Sequence, residues 1–192
     1  MNKLTVGFAL TGSYCTFSKT IPQIQILKEA GYNIVPIMSF NVCKTDTRFG
    51  KAEDFIKEIE AICDNKIINS IKGAEPIGPK NLIDALIIAP CTGNTLAKLS
   101  SGVTDTPVTM AAKAIIRNEK PVILAISTND GLGNAAKNIG ALLNYKGIFF
   151  VPFNQDAPFD KPRSLVADME KIPETLSEAI KGKQIQPIIY DK

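Results

Sequence analysis

The sequence predicts a three-layer α/β/α domain built on a parallel sheet. Five short apolar runs of strand length begin near Leu4, Asn33, Ala85, Val122 and Ile148. Helical patterns separate these runs, and each strand–helix repeat takes about 30 residues, as βαβ units require. The 192 residues, of which 45% are hydrophobic and 21% charged, suit one domain over 1–192.

The helices are placed by apolar periodicity and by helix-stop residues. Gly31 ends the first helical pattern, and Pro121 separates another from the strand that follows it. We predict helices over 17–30, 51–63, 94–101, 107–118 and 134–145. Residues 66–68 are a candidate for a further short strand.

The C-terminal part is expected to extend a core of about 4–152. Residues 152–162 are rich in Pro, Asp and Phe and predict a loop. We predict helices over 165–169 and 173–181. The tail over 185–192 either forms a strand or packs on a partner.

Composition excludes several classes of function. The net charge of +3 is mild, and no basic stripe with interleaved aromatics predicts nucleic-acid binding. No apolar run is long enough to span a bilayer, and the first three residues lead into a strand without a signal-peptide pattern. The four cysteines are scattered without a C-x-x-C spacing, which favours free thiols in a cytoplasmic protein.

The chain contains no histidine. This removes the usual general base, the Ser-His and Cys-His nucleophile pairs and the commonest zinc ligand. We predict no metal site. Any chemistry must come from carboxylates, Lys, Tyr or Cys, or from a bound cofactor, and the catalytic residues stay unassigned.

Small polar residues follow the first predicted strand. Thr11, Gly12 and Ser13 stand where that strand ends and a helix begins, so they offer hydroxyls and a flexible backbone to a phosphate. The alternative is an ordinary capped turn. Neither the G-x-G-x-x-G fingerprint nor a P-loop is present.

A second loop of the same kind follows the central strand. Pro90, Cys91 and Thr92 lead into Asn94 and Thr95 at a helix start. Carboxyl ends of parallel strands share one edge of the sheet, so both loops are expected to face one ligand. Helix capping is the alternative for the last two residues.

These loops resemble a known family. The turn at 11–13, together with PCTGNTLAK at 90–98 and GVTD at 102–105, is similar to the signature of the homo-oligomeric flavin-containing Cys decarboxylases. The resemblance implies a flavodoxin-like (Rossmann-like) fold, bound FMN and a trimer-based homo-oligomer. It implies cofactor-binding roles for Thr11, Gly12, Ser13, Ser39, Pro90, Cys91, Thr92, Asn94, Thr95 and Asn129. Ser127 and Thr128 do not match the family's residues, but they are cofactor-binding candidates because the edge of a flavin ring needs donors and acceptors after this strand.

The chain departs from the decarboxylases of that family at three places. Residues 75–77 are EPI where those enzymes carry a histidine, and 126–129 are ISTN where they carry PAMN. No cysteine follows Cys91, so the cysteine of a C-terminal lid is absent. These departures argue against decarboxylation of cysteine derivatives.

The variant segments at 127–135 and 151–158 are similar to a narrower group of the family. That group works with a second subunit of nicotinamide-dinucleotide fold, which implies NADP on the partner and FMN here. The implied activity is oxidation of a dihydropyridine dicarboxylate to its aromatic form, in the mother-cell cytoplasm during sporulation. The alternatives are an FMN-dependent decarboxylase, a prenyl-flavin synthase and a non-catalytic binding subunit.

A dicarboxylate substrate needs cationic groups. Lys161 and Arg163 follow the last loop and are candidates, because Arg binds a carboxylate with two hydrogen bonds. Gln155 and Asp156 are candidates for polarising a ring nitrogen or a hydroxyl. The alternative for all four is ordinary surface polarity.

Overall fold

The computed structural model describes residues 4–190. The predictions for residues 1–3 and for the last two residues of the tail lie outside the described residues. Among the described residues, no helix has the length and apolar character needed to cross a bilayer.

The core of the fold is a parallel sheet in the order β2-β1-β3-β4-β5. Every strand begins at or next to its predicted start. The chain passes from β1 to β2 on one side and then crosses back to β3 on the other side of β1. This reversal at β1 defines the flavodoxin-like strand order. The strands are β1 (Thr5–Leu10), β2 (Asn33–Met38), β3 (Ala85–Cys91), β4 (Val122–Thr128) and β5 (Ile148–Phe150).

Helices cover both faces of the sheet. α1, α3 and α8 pack on one face, and α4, α5, α6 and α7 pack together on the other. The five predicted helices are present with ends within two residues, and α8 confirms the helix predicted over 173–181. The helices are α1 (Phe17–Glu29), α2 (Phe40–Lys44), α3 (Ala52–Cys63), α4 (Ile71–Ala74), α5 (Gly93–Ser100), α6 (Pro107–Arg117), α7 (Ala136–Leu143) and α8 (Ile172–Ile180).

The central strands are buried on both sides. All seven residues of β3 are buried, and β4 is buried up to Ser127. Strands covered by helices on both faces are expected to be continuous apolar runs, as these are. The polar ends of these strands are therefore displayed only at the carboxyl edge of the sheet.

The helix predicted over 165–169 is wrong. Leu165–Ala167 forms β7, which pairs antiparallel with β4 and with β6 (Phe153–Asn154). The reason is that β5 ends at Phe150 and leaves the last residues of β4 without a partner. β7 pairs with Ser127 and Thr128 there, so tertiary pairing overrides local helical pattern.

Other short elements were not predicted. α2 follows β2, α4 precedes β3, and each is about one turn long. Such short helices contain too few residues for an apolar periodicity to be recognised. Residues 66–68 contribute only a bridge from Ile68 to Ile37.

The described part of the tail packs on its own chain. The N–H of Phe153 donates to the Ile188 carbonyl at 2.9 Å, and the Tyr190 hydroxyl donates to Asp168 Oδ2 at 2.5 Å. A parallel bridge joins Phe153 to Ile189. Of the two alternatives for the tail, the strand-like pairing is therefore present, although only as a bridge.

One side chain, Gln184, caps the outer edge of β5, which is the edge that does not pair with β4. Gln184 Nε2 donates to the Phe150 carbonyl and Gln184 Oε1 accepts from the Phe150 N–H, both at 2.7 Å. The amide thus takes the place of a neighbouring strand. Capping an edge in this way blocks pairing with other chains.

We predict that Gln184→Leu lowers the free energy of unfolding by about 1–3 kcal/mol, since two buried backbone groups lose their partners. Urea unfolding measures the change. Gln186→Leu is the matched control, because Gln186 is exposed. Equal stability of the two variants would contradict the edge-capping role.

Candidate functional site

The carboxyl ends of β1 and β3 form the candidate site. These neighbouring strands send their following helices to opposite faces of the sheet, so their loops diverge and leave a crevice. In open α/β sheets, ligands bind in the crevice at this switch point. Both loops singled out from the sequence lie here.

Thr11 ties the two loops together. Its hydroxyl donates to the Pro90 carbonyl at 2.6 Å and accepts from the Thr92 N–H at 3.1 Å. The side chain is only 2% exposed. The hydroxyl of Thr11 is therefore used to join β1 to β3. Thr11 contributes to a ligand site by holding the two loops in position.

Thr92 is the residue that caps α5. Its Oγ1 accepts from the Thr95 N–H at 3.3 Å and lies 3.0 Å from Thr95 Oγ1. Both hydroxyls are thereby used inside the protein. The capping role considered for Asn94 and Thr95 falls to Thr92, and the Asn94 side chain is left exposed.

Pro90 and Cys91 lie at the buried end of β3. Complete burial of Cys91 raises the pKa of its thiol, which keeps the sulfur protonated and unreactive. The Cys91 thiol is therefore not available to a ligand. Cys15, by contrast, is exposed, and its Sγ lies 3.8 Å from Ser13 Oγ.

Ser13 connects the first loop to β4. Its Oγ lies 2.6 Å from Ser127 Oγ, within hydrogen-bonding distance. The neighbouring Gly12 is exposed at the start of the helical segment that continues into α1. The structure therefore brings the end of β4 to the same crevice as the turn at 11–13.

The loop after β4 packs against the start of α5. Thr128 Oγ1 donates to Asp130 Oδ1 at 2.6 Å. A Cβ built on Gly93 would lie 2.7 Å from Thr128 Oγ1 and 2.9 Å from Asp130 Oδ1. This close approach explains why position 93 is a glycine.

Three side chains at this edge have no hydrogen-bond partner within the described part of the chain: Ser39, Asn94 and Asn129. Ser39 follows β2, and its N–H donates to the Leu10 carbonyl at 3.0 Å, which places it beside the first loop. Its hydroxyl does not cap α2. These three side chains are neutral donors available to a ligand, and the Ser13 hydroxyl, which lies 2.6 Å from Ser127 Oγ, stands at the same edge.

The four candidate substrate residues lie on the loop between β6 and β7. Gln155 Nε2 donates to the Pro162 carbonyl at 2.9 Å, and Lys161 pairs with Asp156 at 3.4 Å. Burial acts to raise the pKa of Asp156, but hydrogen bonds from Ser164 and Lys161 lower it overall. Arg163 has no ion pair among the described residues and lies against Gly133.

This loop is anchored to the loop after β4. Ser164 Oγ donates to the Thr128 carbonyl at 3.3 Å, and the Leu132 N–H donates to the Arg163 carbonyl at 2.9 Å. The candidate substrate loop therefore adjoins the candidate cofactor loops.

Sequence reasoning missed Gly93 and Asp130. Gly93 stands inside the quoted motif, but the partner that requires it comes from a loop 35 residues later. Asp130 follows Asn129 directly, and no motif or residue spacing in the sequence marks it as functional. Within residues 4–190, no group of three or more potential metal ligands is placed to hold a metal ion.

Comparison with known proteins shows the family of this chain. The Flavoprotein family model matches residues 1–181. The chain is 48% identical over 97% of its length to the B subunit of dipicolinate synthase of Bacillus subtilis (strain 168), of which 93% is covered. This chain belongs to the Flavoprotein family, which supports a flavin cofactor.

Solved structures extend the comparison. The crystal structure of the B subunit of dipicolinate synthase from Bacillus halodurans superposes with a TM-score of 0.91, with 46% identity and 100% of both chains covered. The AnUbiX (PadA1) complex with FMN and dimethylallyl pyrophosphate has a TM-score of 0.60 at 18% identity, covering 79% of this chain and 78% of that one. The second likeness concerns the fold alone. The predicted fold and the narrower resemblance are both confirmed.

We predict that Gly93→Ala destabilises the protein by about 1–3 kcal/mol, because the added methyl group overlaps Thr128 and Asp130. Gly140→Ala in α7 is the control, since nothing lies within 4 Å of its Cβ position. That substitution is expected to stabilise by about 0.5–1 kcal/mol through helix propensity. Thermal unfolding compares the two, and a neutral Gly93→Ala would refute the close packing.

Proposed function

We propose that this chain is the flavin-binding subunit of a dipicolinate synthase, which oxidises dihydrodipicolinate to dipicolinate together with the A subunit of that synthase. The observation that carries the proposal is the 48% identity over 97% of the chain to the B subunit of such an enzyme. The precursor would come from the 4-hydroxy-tetrahydrodipicolinate pathway. The setting would be the mother-cell cytoplasm during sporulation.

FMN is the proposed cofactor, and the donors in the crevice suit it. The exposed turn at Gly12 and Ser13 precedes a long helical segment and contains no carboxylate, which suits a phosphate. Ser39 and Asn94 are neutral donors with free side chains, suited to phosphate and ribityl oxygens. Asn129, with the end of β4, would face the edge of the flavin ring.

Arg163 is the residue proposed to bind a carboxylate of the substrate. In the loop between β6 and β7, Arg163 has no ion pair among the described residues, whereas Lys161 is paired with Asp156. A guanidinium offers two parallel hydrogen bonds to one carboxylate. Gln155 and Asp156 would then shape the loop, as their internal hydrogen bonds indicate.

The chemistry suits a site without histidine. A bound flavin supplies the acceptor for hydride. Because the product is aromatic, the loss of hydride is favourable, and the task left to the protein is to hold the ring in place and to exclude competing reactions. NADP on the partner is the proposed route for the electrons beyond this site.

The proposal includes the assembly. A trimer-based homo-oligomer that binds the A subunit follows from the resemblance, and the Bacillus subtilis relative is itself named as one subunit of a synthase, which supports a partner. Ile116 and Tyr145 line an apolar groove on the outer face of α5, α6 and α7 and are candidates for such contacts.

We predict that the chain, purified with its partner, forms dipicolinate from the cyclised precursor, measured by chromatography of the aromatic product. Ser13→Ala and Asn94→Ala should lose FMN and product formation together, because they remove donors at the crevice. Ser18→Ala, an exposed serine of α1, is the matched control and should retain both.

Three outcomes would contradict the proposal. Absence of dipicolinate with the wild-type pair refutes the oxidation. Release of carbon dioxide from a cysteine derivative, or formation of prenylated FMN, would assign the decarboxylase or prenyl-flavin chemistry instead. Product formation that survives the loss of FMN would make this chain a non-catalytic binding subunit.

A further inference from the structure

The proposed oxidation also requires a group that accepts a proton from the substrate. Converting a dihydropyridine to a pyridine removes a hydride from one ring carbon and a proton from its neighbour. The chain has no histidine to accept that proton. The inference that follows rests on the proposed function and concerns the group that fills this role.

Asp130 is the carboxylate packed against the β3–α5 loop that borders the crevice. It lies in the loop that follows β4, and its Oδ1 accepts the Thr128 hydroxyl at 2.6 Å. The same oxygen lies 2.9 Å from the Cβ position of Gly93, at the first turn of α5. The carboxylate is therefore held at the junction of two candidate cofactor loops.

The carboxylates on the adjoining loops are already paired. Asp105 lies 2.8 Å from Lys98, and Asp156 lies 3.4 Å from Lys161. Asp130 has no ion pair within residues 4–190, and its second oxygen, Oδ2, has no donor there. A carboxylate with one oxygen fixed by a hydrogen bond and the other without a donor offers a position for a proton.

The other ionisable groups near the crevice are less suited. The Cys91 thiol is buried, and the Tyr14 hydroxyl donates to the Asn41 carbonyl at 3.0 Å. Cys15 is exposed on the helical turn after the first loop. Geometry and pairing thus single out Asp130 among these groups.

We propose that Asp130 accepts the proton that the dihydropyridine dicarboxylate loses on aromatisation. The ring C–H bond breaks, its electron pair becomes the new ring double bond, and the proton goes to the free Oδ2. A flavin bound in the crevice would accept the hydride from the adjacent carbon, which accounts for the two electrons that the substrate loses. The hydrogen bond from Thr128 holds Oδ1 in place beside the first turn of α5.

Asp130→Asn tests the proposal in the complex with the partner protein. The amide keeps the volume and an acceptor for Thr128 but cannot take the proton. We expect kcat to fall by about 10²–10³-fold, with FMN affinity, followed by flavin fluorescence, unchanged. Asp54→Asn, on an exposed residue of α3 away from the crevice, is the matched control and should retain wild-type kcat.

Chemical rescue separates a proton acceptor from a structural residue. In Asp130→Ala, added formate should restore part of the rate by replacing the missing carboxylate.

The results that overturn the inference differ from those that overturn the proposed function. No dipicolinate from the wild-type pair would refute the function. Asp130→Asn with normal kcat would refute the role of Asp130 alone. Loss of FMN affinity in Asp130→Asn without formate rescue in Asp130→Ala would likewise refute it and leave Asp130 a packing residue. Because FMN affinity is measured on the same Asp130→Asn protein, a folding defect is distinguished from the loss of the proton acceptor.

Discussion

The arrangement of the candidate site depends on the hydroxyl of Thr11. By donating to the Pro90 carbonyl and accepting from the Thr92 N–H, it fixes the end of β1 against the end of β3. Thr92 then caps α5, and α5 begins at Gly93, where the loop after β4 makes its close approach. A buried hydrogen bond of this kind contributes about 0.5–1.5 kcal/mol to stability, but leaving its partners unsatisfied costs more. The loops of three strands are therefore positioned together.

This architecture separates two kinds of polar residue. The threonines at 11, 92 and 95 satisfy one another and the backbone, so they build the crevice. Ser39, Asn94 and Asn129 keep their side chains free and are available to a ligand. A site lined by neutral donors suits a cofactor that carries its own reactive group, since the protein then supplies position and hydrogen bonds.

The sequence predicted the five parallel strands and both loops because strand-length apolar runs and strand–helix junctions are local signals. It did not predict β7, because Leu165 to Ala167 pair with the end of β4 only after β5 has stopped short. It also missed Asp130, whose importance lies in contacts with Thr128 and with the start of α5. The division between structural and free polar residues required the hydrogen bonds, which no spacing in the chain reveals.

The central claim is that the crevice between β1 and β3 binds a flavin. The direct measurement is the visible absorption spectrum of the purified protein, alone and after incubation with FMN followed by gel filtration. We expect flavin bands that remain with the protein. A colourless protein that fails to retain FMN would contradict the claim, and would place the redox step on the partner.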